Sequence, residues 1–444
     1  MQQDARGVPV TGASAFARDQ YEIALRQFQS YVGDPVATLD AALADSPDFI
    51  AGHVFRALAM FTASEKSFLP AVADSVSEAA RRQAQANARE LGLIHATQRF
   101  VDGDWSGGCL ALDRVLADHP RDAVALQVGH LMDFYRGDAL NLRNRISRVL
   151  PHWDAATPGY SYVLGMHAFG LEEMNQYAEA EAAARRAVSL ERKDGWAVHA
   201  MTHVLEMQGR VDEGVAWLTS REGDWAPDNM FAFHNFWHLA LFHLDAGRYG
   251  EALALYDARI HPGPAQYVLT LVDATALLWR LTLEGVDVGD RFATVADEWQ
   301  GRLDQDRGFY AFNDVHAMLA FVATGRGEAI ERLAANLALA AAGNGTNAMM
   351  SRDVGLPLAQ GIEAFGRGQY GVAIDLIESV RDIAHRFGGS HAQRDIITLT
   401  LIEAALRSNQ PKRARHFIAE RLVHKPDGRW GRRLADRAHS LGGH

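Results

Sequence analysis

Two stretches of this sequence carry residues of the type and spacing that chemistry needs: Trp196-Ala-Val-His199-Ala-Met-Thr-His203-Val-Leu-Glu206 and Phe233-His234-Asn-Phe-Trp237-His238-Leu-Ala-Leu-Phe-His243. On a helix, residues four apart share a face about one turn from each other, which pairs His199 with His203 and His234 with His238. Imidazoles so spaced can reach one ion, and a carboxylate such as Glu206 or Asp273 could complete a Zn²⁺, Fe²⁺ or Mn²⁺ sphere. The expected ligands are His199, His203 and His238. The pattern is not His-Glu-x-x-His, because Ala200 stands where that motif has its glutamate. A metal-free alternative uses the same rings as proton donors and acceptors near pH 7, oriented by Asp or Glu. The expected catalytic residues are then His199, His203, Glu206, His234, His238 and His316. Asp273, Asn313, Trp237, Tyr160, His167, His391 and Arg394 are expected to contact substrate, Arg394 by a bidentate grip on a carboxylate or phosphate. For Arg394-Asp395 the competing reading is a buried ion pair between repeats. Single histidines on apolar helices, His53, His95 and His243, read as core residues with one hydrogen bond each.

The elements that must position these residues are helices. Period-two runs of β-branched residues are nearly absent, while Ala, Leu and charged residues recur with helical spacing. Short turn signals punctuate the chain, ending at Trp105, Ala139, Tyr177, Val211, Tyr249, Val288, Glu328, Tyr370 and Lys412, in steps of 34, 38, 34, 38, 39, 40, 42 and 42 residues. Such steps mark stacked helical hairpins of the tetratricopeptide kind. Gln176-Tyr177-Ala-Glu-Ala180, Arg248-Tyr249-Gly-Glu-Ala252 and Gln369-Tyr370-Gly-Val-Ala373 begin successive second helices in the same way. The fold class is all-α, a right-handed superhelical solenoid of these hairpins. Residues 1–100 read as irregular hairpins and a cap, 101–425 as repeats forming a concave groove, and 426–444 as a C-terminal capping helix. Before Trp105, Gly52 to Ala63 and Val76 to Phe100 read as helices around an insertion near Ser64 to Asp74. Gly301 to Arg307 and Ala341 to Arg352 read as irregular. Counted back from each turn, His199, His203, Glu206, His234, His238, Asp273, Asn313 and His316 fall on one inner wall.

The segments Gly165-Met-His167-Ala-Phe-Gly170-Leu-Glu-Glu, His199 to Trp217, His234 to His243, Phe312-Asn-Asp-Val-His316-Ala-Met and Gly389-Ser-His391-Ala-Gln-Arg394-Asp395 together resemble the tetratricopeptide repeat protein 38 family. The likeness runs from about residue 100 to residue 425. It implies the hairpin architecture and a set of motifs, and it carries no settled activity.

Composition narrows the classes further. With 48 % hydrophobic residues and a net charge of −11, the chain suits a soluble protein and argues against a nucleic-acid partner. The arginine clusters Arg413 to Arg421 and Arg429 to Arg437 read as solvated faces. One cysteine, Cys109, excludes a disulfide framework and suits a reducing, cytoplasmic setting. No secretory leader is expected, because Met1 to Phe16 lacks a continuous apolar run, and the sequence shows no apolar run long enough for a membrane span and no nucleotide loop or nucleophile elbow. The cofactor expectation is a divalent metal such as Zn or Fe, and no nucleotide. The expected function is binding, and catalysis, of a small polar molecule in the groove. The alternative is a non-catalytic scaffold for a peptide or protein partner, and exposed solenoid ends would allow a homodimer.

Overall fold

At each interval that the repeat spacing marks, the backbone turns through the left-handed region. Gly103, Gly137, Asn175, Gly209, Gly247, Gly285, Gly325, Gly368 and Asn409 have φ between 54° and 82°. Glycine takes that conformation without strain, and asparagine is tolerated there better than most residues. Each turn closes alike: Gly137 N–H donates to Phe134 O and Asp138 N–H to Asp133 O, both at 2.9 Å, which satisfies the last carbonyls of the helix. Asp138 then caps the following helix by accepting from Asn141 N–H at 3.0 Å.

The computed structural model describes residues 2–441. It is all-α apart from a minimal antiparallel pairing of Gln2–Gln3 with Pro9–Val10, and its helices stack as hairpins in chain order. The chain divides into two compact units, Met1–Met201 with Glu222–Ala232, and Thr202–Arg221 with Phe233–His444. Among the described residues no helix is long and apolar enough to cross a membrane.

In the first unit small residues let helices meet closely. A Cβ on Gly170 would lie 2.6 Å from the Arg143 Cα, so helices Ala139–Val149 and Tyr160–Glu173 touch backbone to backbone. The segment Glu222–Ala232 folds back on the first helix, Ala15–Ser30, where Met230 N–H donates to Tyr31 O at 2.8 Å. Cys109 is buried, and burial pushes its thiol up to about 12. It is expected to stay unmodified by an alkylating reagent in the native protein and to react fully once the chain is unfolded in urea, as mass spectrometry would record.

In the second unit the last helices close on the first ones. Arg433 Nη1 donates to Asp245 O at 2.6 Å, Trp430 Nε1 to Glu284 Oε1 at 2.6 Å, and Trp279 Nε1 to Thr400 Oγ1 at 2.9 Å. Helices Pro411–His424 and Arg429–Ser440 thus cover the early hairpins instead of extending away from them.

Several local expectations change. The stretch read as one helix from Val76 to Phe100 is two, Leu69–Arg81 and Ala88–Val101, because Asn87 and Glu90 form a reciprocal cap that starts the second. Most of the insertion near Ser64 to Asp74 is therefore helical. Residues 301–306 belong to helix Arg291–Asp306, and only Arg307 turns. The loop read over 341–352 is short, since Thr346–Met350 is helical. The terminal helix is present as Arg429–Ser440; residues 442–444 of the expected cap lie outside the described residues.

Candidate functional site

Helix Gly195–Met207 begins under Asp194, whose Oδ1 accepts from Ala197 N–H at 2.9 Å, and ends at the Gly209 turn. Its C-terminal half brings His203 and Glu206 into the second unit. Helix Ala232–Asp245 carries His234 and His238 on one face, and helix Val268–Leu283 carries Asp273 and Arg280. All of these side chains are buried, His203 and His238 completely.

Two histidine–carboxylate pairs result. His234 Nδ1–H donates to Asp273 Oδ2 at 2.6 Å, and His238 Nδ1–H donates to Glu206 Oε2 at 2.8 Å. Each bond fixes the tautomer and leaves the lone pair on Nε2. The His238 ring lies 4.9 Å edge-on from His234 and 4.4 Å from His203. One ring nitrogen from each of His203, His234 and His238 falls within 4.8 Å of the others. Burial holds His203 well below the usual histidine range and lowers His238 too, so both rings are neutral at pH 7. Trp237 stacks on His234 at 5.3 Å, with the Arg280 guanidinium 5.3 Å from the indole centroid.

Glu206 is the hub of a second, charged layer. Its Oε1 accepts from Lys425 Nζ at 2.7 Å, and the same ammonium lies 3.7 Å from Asp395 Oδ2. Arg421 holds Asp395 with two bonds of 2.8 Å. Burial would raise the Glu206 carboxyl, but Lys425 and His238 outweigh it and keep the group well below its ordinary range. Arg280 is wholly buried and donates to the carbonyls of Ala276, Ala392 and Gln393; burial brings its pKa down to about 10. Glu206, Arg280, Asp395, Arg421 and Lys425 line a cavity of about 20 Å³, room for one water-sized group.

Other expected residues have surroundings of their own. His316 donates from Nδ1 to Phe312 O at 2.8 Å and packs on that ring; burial lowers it to about 4. It forms no hydrogen bond or ring contact with the three clustered histidines among the described residues. Asn313 is buried on the same helix. Arg394 bonds Gly389 O and His391 Nδ1, while its neighbour Asp395 belongs to Arg421. The buried Arg–Asp pair thus exists with a different arginine. His199, Tyr160 and His167 belong to the first unit: His199 packs against Trp196, Phe231 and Phe169 at 5.0, 5.1 and 5.2 Å, Tyr160 is half-buried, and His167 shares a bond with Ser147 Oγ at 3.2 Å. His53 bonds Pro47 O and is a core residue as expected, whereas His95 is exposed. Sequence reasoning missed Lys425, Arg280 and Arg421, the last having been assigned to a solvated face. The available signal for Lys425 was rarity, since only four of the 44 Lys and Arg residues are lysine.

No family model matches the chain. Among solved structures it is similar to a chain of the APC/C hetero-tetramer Cut9–Hcn1, at 13 % identity over 96 % of this chain and 73 % of that one, with a TM-score of 0.48. The human IFIT1 dimer with m7Gppp-AAAA is similar at 13 % identity over 96 % and 95 %, TM-score 0.44, and yeast Tom70 at 10 % over 92 % and 85 %, TM-score 0.37. Stacked helical hairpins commonly serve as scaffolds for protein or peptide binding. The buried histidine–carboxylate cluster is the feature that a plain scaffold does not need.

Proposed function

We propose that the second unit holds a divalent-metal centre on His203, His234 and His238, serving metal-assisted chemistry on a small polar molecule. The observation that carries this is the pair of Nδ1–H bonds to Asp273 and Glu206. Metal-bound histidines usually donate their second nitrogen to a carboxylate in this way, and the carboxylate orients the ring and raises its basicity. Three protein ligands leave a coordination position for water or substrate. Neutrality of the buried rings favours the metal over metal-free proton transfer, because a general acid working at pH 7 needs a pKa near that value and burial holds His203 and His238 below the ordinary histidine value. The charged cavity beside Glu206 suits a reactant that is small and polar. Membership of the tetratricopeptide repeat protein 38 family and a cytoplasmic location belong to the same proposal.

The test is elemental analysis of protein purified without a histidine tag, followed by zinc titration of the metal-stripped chain. About one metal per chain is expected. His203→Ala and His238→Ala should abolish tight binding, and Asp273→Asn should weaken it about 10–100-fold. A chain that neither retains nor takes up metal, or alanine variants that titrate like the parent, would overturn the proposal.

A further inference from the structure

A second cavity lies wholly in the first unit, and its lining carries no carboxylate, lysine or arginine. Gln29, Tyr31, Gln127, His130, Tyr162 and Trp196 form most of its wall, around about 10 Å³ of space. Gln29, Gln127 and Trp196 are 3 %, 4 % and 7 % exposed. In each, one polar atom is buried with no hydrogen-bond partner: Gln29 Nε2, Gln127 Oε1 and Trp196 Nε1. The Gln127 amide is oriented by its other end, which donates to Phe28 O at 3.1 Å, so its carbonyl oxygen is the atom left over. Trp196 is fixed by Tyr31, stacked at 5.9 Å, and by His130, edge-on at 5.7 Å. Burial brings His130 down to about 3, so the wall is neutral at physiological pH.

Buried polar groups in folded proteins are nearly always satisfied; both ring nitrogens of His130 lack a partner as well, and beside them the three orphans ask for one. Two of them are N–H donors and one is a carbonyl acceptor. The lining offers a carboxylate no cation, and the buried Asp194 carboxyl, whose charge acts on Tyr31 and Tyr162, lies outside it. We propose that this cavity binds the hydroxyl of a small molecule, a head of one heavy atom that the space admits, which accepts from Trp196 and Gln29 and donates to Gln127. The half-buried Tyr31 and Tyr162 form the side from which such a molecule enters.

Ligand-observed NMR on the 444-residue chain tests this with propanol as the probe and propionate and propylammonium as charged controls. A head group of so few atoms is expected to bind at millimolar concentration. Trp196→Phe, which keeps the ring and removes the N–H, and Gln29→Met should each weaken binding about tenfold. Absence of propanol binding, equal binding of propionate, or unchanged affinity in both variants would overturn the proposal, as would a crystal structure soaked with propanol that shows only ordered water on these atoms. Should Trp196→Phe not fold, Gln29→Met decides alone. Failure here leaves the metal centre untouched, because the two sites share no residue.

Discussion

Replacing Lys425 by methionine is expected to destabilise the protein by about 3–5 kcal/mol, the range found when one partner of a buried ion pair is removed. The Lys425 ammonium is 2.7 Å from Glu206, with side chains 9 % and 8 % exposed, so bulk solvent cannot take its place. Its loss leaves the Glu206 carboxylate buried beside His238 alone. The effect should depend on pH in a definite direction. The native Glu206 carboxyl is held below its ordinary value of 4.5, so its contribution is present above that value and is lost as pH falls through the lower native value. In the variant the carboxyl rises, so the deficit should be largest at pH 7–8 and shrink toward pH 5, where protonation relieves it. Urea unfolding at the two pH values measures both, and Glu206→Gln combined with Lys425→Met should recover most of the loss. A single-variant cost below about 1 kcal/mol would mean that the pair behaves as a solvated one.

Asp194→Asn should act the other way and stabilise the protein at pH 8. Asp194 caps helix Gly195–Met207 through Oδ1, but Oδ2 is buried without a hydrogen-bond partner and faces Gly165. Burial pushes this carboxyl up from 3.8 to about 7. A raised carboxyl contributes fully below its unfolded value and loses that contribution as pH climbs through the native one. Over the interval the loss amounts to as much as about 4 kcal/mol. Asparagine keeps the cap and cannot ionise. Thermal or urea unfolding should therefore find the variant more stable than the parent at pH 8, with the margin less than half as large at pH 5. A variant less stable at pH 8 would show that the carboxylate is satisfied as an ion.

The hairpin array was legible because each turn demands a left-handed residue, and a glycine or asparagine recurring every 34 to 43 residues announces that demand. The four-residue spacing of His234 and His238 was legible for the same reason, as helical geometry is local. What lay beyond reach was partnership across repeats. Asp395 follows Arg394 in sequence, yet it pairs with Arg421, because adjacent residues on a helix point about 100° apart whereas a neighbouring hairpin can present its arginine directly. Periodicity also said nothing of the closure that buries the histidines, since it constrains contacts between consecutive helices and not those between the first and last of a unit. The cap at Asn87 is different: Asn-x-x-Glu was in plain view, and a strong helical pattern on either side concealed it.

The bond from Lys425 to Glu206 joins residues 219 positions apart. During synthesis, then, every histidine of the cluster leaves the ribosome long before the ammonium that neutralises its neighbouring acid. A chain that stops short of Lys425 carries an unbalanced charge where a dry interior should form. Closure of that interior therefore waits on the segment that carries the lysine.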